Sequence, residues 1–250
     1  MVRAYLRRGI TSGAVAGLAF GLFVVLGLRP LVRYAETFEA GSSGGAKAGL
    51  LAGSTLVSLL GSVLLGLLLG TVVFGAGYYL LEPAIPGRAD TKSYLLGAAG
   101  FVTLSGAPWL FVPPQPPGVE AALDVEARLA YYALGMALGA AACALSALGW
   151  TRWRTRHGRV VAGLAALAPP AVLVGLAILA PGLSVAGPVP EGLAAAFRGI
   201  VAVGQVGLWL VMAGTHAWLL ARRPAEETSA TARSRAVDVA GRSATARKRR

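Results

Sequence analysis

Long apolar stretches, broken by short polar ones, organise this chain. No charged residue occurs from Ala48 to Leu81, and none from Ser93 to Val119. A helix crosses the roughly 30 Å hydrocarbon core of a bilayer with about 20 apolar residues. The pattern therefore predicts an all-α, polytopic helical membrane protein. Six transmembrane helices fit it, at about 9–28, 50–80, 94–112, 129–149, 160–180 and 198–220. They form a membrane domain over residues 1–221, followed by a basic cytoplasmic tail over 222–250 that is expected to be disordered. The second run, Gly49 to Leu81, would make a helix of roughly 50 Å at 1.5 Å per residue. It must tilt, project beyond the bilayer or break near Gly75 and Gly77.

Aromatic residues mark the same boundaries. Tyr78 and Tyr79 close the second run, Trp109 closes the third, Tyr131 and Tyr132 open the fourth, and Trp150 and Trp153 end it. Such rings sit at headgroup level, where one side is apolar and the other wet. The basic residues then orient the chain. With the N-terminus in the cytoplasm, 18 of the 23 lysines and arginines lie in cytoplasmic segments. Six spans with both ends inside satisfy the positive-inside rule, as in a multi-pass protein of the plasma membrane. The N-terminal arginines and the run from Gly9 to Leu28 resemble a signal peptide. That run is followed by Arg29 and Pro30 rather than a small-x-small site, so it reads as a retained first span.

Composition adds little beyond this. The chain is 56% hydrophobic and 14% charged, and its net charge of +12 is concentrated partly in the tail. That tail has no aromatic residue to stack on bases, so nucleic acid is not expected as a partner; the lipid bilayer is. The single cysteine, Cys143, permits no intrachain disulfide.

Glycines speak to packing. Gly9, Gly13, Gly17 and Gly21 recur every fourth residue on one face of the first span, and Gly66 and Gly70 repeat the spacing in the second. Small residues at this interval let helix backbones approach closely in lipid. They serve packing within the chain or a face for a partner subunit.

No nucleophile, base and acid converge, so an enzyme is not expected. In the sixth span Gln205, Trp209, Met212 and His216 are spaced to share one helical face. Polar side chains inside a membrane turn toward the bundle interior and mark pathways. Met212 and His216, one turn apart, offer a thioether and an imidazole to a transition metal. Pro169 and Pro170 remove amide hydrogens from the fifth span, which predicts a kink there or carbonyls free to meet a cation. Outside the membrane, Glu36, Glu39, Glu120 and Asp124 offer carboxylates that raise local cation concentration.

Three stretches carry a resemblance: "RGITSGAVAGLAFGLFVVLGLRPLVRYAE", "APWLFVPPQPPG" followed by "ARLAYY", and "FRGIVAVGQVGLWLVMAG". Together they resemble the CbtA-type cobalt transporter subunits, from about Arg8 to Leu220. Pro113, Pro114, Pro116, Pro117, Gly118 and Arg128 are the positions that match the family's proline motif. The resemblance implies cobalt uptake linked to cobalamin biosynthesis, alongside a small one-span subunit with a histidine-rich motif. The proline segment, with Glu120 and Asp124 after it, would rim an entrance. No permanently bound cofactor is implied; cobalt or another divalent cation is the substrate. Family members carry histidines in the loop after the first span, where this chain has Glu36 and Glu39 and no histidine. Either a partner brings the nitrogen ligands or the ion is not cobalt. The alternative is a non-transporting scaffold that holds the small subunit through the first-span glycines. Homo-oligomerisation is not legible.

Overall fold

The computed structural model describes residues 2–39, 55–117, 123–179 and 189–247. Its elements are helical, with no strand among the described residues. Among those residues, five helices are long and apolar enough to cross a membrane.

The first rod, α1, joins Val2–Phe23 through a π-helical turn at Val24–Leu28 to Arg29–Glu39. Glu36 therefore stands on a helix rather than in a loop. The second rod, α2, is Thr55–Leu81. It does not break at Gly75 and Gly77; both belong to a π-helical stretch, Gly70–Gly77, within a continuous helix. Its described part is roughly 40 Å long, and residues 49–54 of the predicted run lie outside the described residues. The third, α3, is Ala89–Phe111 and carries a π-helical segment at Val102–Gly106.

The next element, Val125–Leu179, is interrupted at Gly158, whose φ of 81° and ψ of 180° are not helical. That backbone region is essentially confined to glycine. The break divides α4 (residues 125–157) from α5 (residues 159–179). They run antiparallel: a Cβ on Gly149 would lie 2.9 Å from the Ala165 carbonyl, and Leu173 shares a core cluster with Ala142. Pro169 and Pro170 sit inside α5 without breaking its helical dihedrals, while Gly158 makes the turn expected between the fourth and fifth spans. The last helix, α6, is Glu191–Arg247. Its apolar part ends at Arg222, and helix continues through the region expected as a disordered tail.

Glycine-lined packing holds α1 to α2. A Cβ on Gly13 would strike the Gly66 carbonyl, one on Gly9 the Gly70 carbonyl, and one on Gly17 would sit 2.7 Å from the Ser62 carbonyl. Only residues without a side chain permit such backbone contact. At one end of the pair Arg29 donates to the Thr55 hydroxyl. The other face of α2 is leucine: Leu60, Leu64 and Leu68 are each more than half exposed. Small residues inward and leucine outward is the arrangement lipid favours, because lipid tails are as apolar as leucine and only close packing rewards association. The main core joins Ala16, Phe74, Tyr78, Leu96, Leu208, Trp209, Met212 and Ala213 from α1, α2, α3 and α6. A smaller one joins Ala107, Ala142 and Leu173 from α3, α4 and α5.

Candidate functional site along the last helix

The face of α6 singled out by spacing packs against α3. Gly97 and Gly100 make room for it: a Cβ on Gly97 would sit 2.9 Å from that of Ala213, and one on Gly100 would strike the Trp209 ring. Polar contacts punctuate the seam between the two helices at three depths.

Deepest in burial is the contact between His216 and Ser93. Both residues are fully buried, and His216 Nδ1 lies 2.9 Å from the Ser93 hydroxyl. Ser93 Oγ also donates to the Ala89 carbonyl at 3.2 Å, the usual back-bond of a helical serine. Which of Ser93 Oγ and His216 Nδ1 donates follows from the imidazole tautomer. The Nε2 atom has no hydrogen-bond partner among the described residues. The imidazole packs against Phe74 and Tyr78, with ring centroids 5.2 and 4.6 Å away. Met212, one turn back, is also fully buried.

Around this end of the bundle, charged and aromatic groups knit the helices. The Tyr5 hydroxyl donates to Glu82 Oε2 at 2.7 Å, and Lys92 Nζ donates to the Glu82 carbonyl at 2.7 Å. Arg8 is buried, 5.5 Å from the Tyr5 ring centroid.

At mid-depth the Trp209 indole N–H donates to Ser105 Oγ, and Ser105 donates to Gln205 Oε1, each at 3.3 Å. Ser105 lies in the π-helical segment of α3. The neighbouring Leu104 carbonyl accepts from the Tyr132 hydroxyl at 3.0 Å, so a side chain of α4 meets the backbone where the helix is irregular. At the far end Arg198 donates to Gln115 Oε1 at 3.0 Å, tying α6 to the proline segment. From Arg198 to His216 the seam spans roughly 27 Å of helix, close to the thickness of a hydrocarbon core.

The residues expected to hold a metal do not form one site. Gln205 and His216 are about 16 Å apart along α6. Glu36 is half-buried at the opposite end of α1 from Arg8. Glu39 ends a helix, and its side chain lies outside the described residues. Among the described residues no three His, Cys, Asp or Glu side chains gather as a metal cluster. Of the entrance residues, Gly118 and Glu120 lie outside the described residues. Pro113, Pro114, Pro116 and Pro117 lie in a stretch without regular structure, with Pro116 buried. Asp124 Oδ1 accepts the Ala127 N–H at 2.7 Å. It is the N-cap of α4. Arg128 is exposed.

Sequence spacing missed Ser93, Ser105, Gln115 and Tyr78. Ser93 and Ser105 had a signal: they are polar residues in a charge-free run, and such residues seek partners on neighbouring helices.

An apolar exterior, glycine-packed helices and a buried polar seam define a helical membrane protein. The family described as probable cobalt transporter subunit (CbtA) matches residues 2–221, and the chain belongs to that family. No match was found among curated proteins or among solved structures.

Proposed function

We propose that this protein is the membrane-embedded subunit of an importer for cobalt or a similar divalent cation, serving cobalamin biosynthesis. The family match over residues 2–221 carries this reading. The polar seam between α3 and α6 supports it, since an ion crossing the bilayer needs polar groups at depth. Counting α4 and α5 as two crossings gives six, which would put both ends of the membrane domain on one side. The positive-inside rule puts that side, with Arg3, Arg7, Arg88 and Arg152, in the cytoplasm of a cell whose plasma membrane houses the protein.

The seam suits passing contact rather than tight binding. His216 offers one nitrogen lone pair and Gln205 one amide. Further ligands would come from a small partner subunit. The scaffold alternative relied on the glycine face of α1; that face is covered by α2 of the same chain, so the transport reading is preferred. Catalysis has no place in it.

The test is cobalt accumulation in cells lacking the gene and complemented with wild type or with Gln205→Leu combined with His216→Ala. Wild type restores uptake and the double variant does not, although it reaches the membrane. Uptake restored equally by both would remove the seam from the path. Uptake unchanged by loss of the gene would remove the transport reading.

A further inference from the structure

The turn between α4 and α5, "TRWRTRHGR" at residues 151–159, has no part in the seam. Its four arginines, Arg152, Arg154, Arg156 and Arg159, are all exposed, and none is ion-paired among the described residues. The sequence offers no carboxylate between Glu126, at the far end of α4, and Glu191, so no acid near the tip on these two helices neutralises them. Trp153 is 42% exposed and lies tilted against His157, with ring centroids 4.9 Å apart.

Position makes this more than a solvated charge run. Gly158 reverses the chain, so the arginines stand at the tip of an antiparallel helical hairpin. Exposed apolar residues flank the tip on both helices, Leu148 at 62% and Val160 at 78%. An indole at headgroup level, guanidinium groups around it and apolar surface directly below match the chemistry of a phospholipid. Guanidinium forks bind phosphate oxygens in pairs, and anionic leaflets attract basic segments at the membrane edge.

We propose that the α4–α5 tip is a docking surface for anionic phospholipid headgroups, with the acyl chains lying along Leu148 and Val160. Such docking requires the chain to be embedded in a bilayer but is independent of which ion it carries.

Native mass spectrometry of the full chain in detergent, with phosphatidylglycerol and phosphatidylcholine at equal concentration, tests it. Wild type retains phosphatidylglycerol with about a tenfold or greater preference, since each arginine near a headgroup contributes roughly a fivefold factor. Arg152→Gln, Arg154→Gln, Arg156→Gln and Arg159→Gln together bring the preference near parity with thermal stability unchanged. A control with Arg233→Gln, Arg235→Gln, Arg242→Gln and Arg247→Gln keeps it. Absence of preference in wild type overturns the proposal, as does its survival in the hairpin variant. Equal loss in the control variant would overturn it in favour of diffuse attraction. Displacement of the lipid by millimolar inorganic phosphate, or by an oligonucleotide of matched charge, would overturn it in favour of a soluble ligand.

Discussion

His216 Nδ1 lies 2.9 Å from the hydroxyl of Ser93, and 123 residues of chain separate the two. This contact joins α6 to α3 at the end of the bundle where α1 and α2 also converge. Both partners are fully buried, so neither can turn to water if the other is removed. Ser93→Ala is expected to lower stability by about 1–3 kcal/mol, the cost of leaving a buried polar group unsatisfied. Adding His216→Leu should cost less than the sum of the two single changes, because both halves of the bond are then gone. Thermal unfolding of the four proteins in one detergent checks this; strict additivity would mean the bond contributes nothing.

Two kinds of glycine should respond in opposite directions. Gly13→Ala drives a methyl into the backbone of Gly66 and is expected to cost about 1–3 kcal/mol, as overpacking does. At Gly61 an added methyl would meet nothing within 4 Å. Gly61→Ala should therefore gain roughly 0.5–1 kcal/mol from reduced backbone freedom. Melting temperatures measured side by side decide it, and equal shifts would contradict the assigned α1–α2 contact.

Trp209 is the donor that starts the mid-depth chain. Trp209→Phe keeps most of the ring against Gly100 but loses the N–H to Ser105, an expected cost of about 1 kcal/mol. Cobalt uptake should fall further than stability if the Trp209–Ser105–Gln205 chain lies in the path. Uptake per folded molecule, compared with wild type, separates the two effects.

Gly158 holds a conformation open to almost no other residue. Gly158→Ala is expected to destabilise the α4–α5 hairpin by about 1–3 kcal/mol, whereas Gly163→Ala, in open space within α5, should be neutral or stabilising. Unfolding midpoints of the two variants provide the measurement.

Much of the architecture is legible in the sequence. Charge-free runs at bilayer length set the helical class, and four-residue glycine spacing places Gly9, Gly13, Gly17 and Gly21 on one face. The spacing of Gln205, Trp209, Met212 and His216 likewise defines a face of α6. Other features differ from what the residues suggest, for identifiable reasons. Proline at positions 169 and 170 leaves the helical dihedrals of α5 intact because they suit proline's own fixed φ, and the turn between the fourth and fifth spans is made by a single glycine, Gly158. Asp124 looks like part of an ion entrance by charge alone; its carboxylate is engaged by the first turn of α4.

The sequence by itself determined that this chain is a bundle of membrane helices, because a backbone in lipid must satisfy its own hydrogen bonds and a helix of about 20 apolar residues does so. It also determined which residues share a helical face, since 3.6 residues per turn is fixed by the backbone. Only the tertiary structure decided which faces meet. Periodicity sets direction around one helix axis but carries nothing about the neighbour found there. That is why Ser93 with His216, Ser105 with Trp209 and Gln115 with Arg198 emerged only when the helices were packed together.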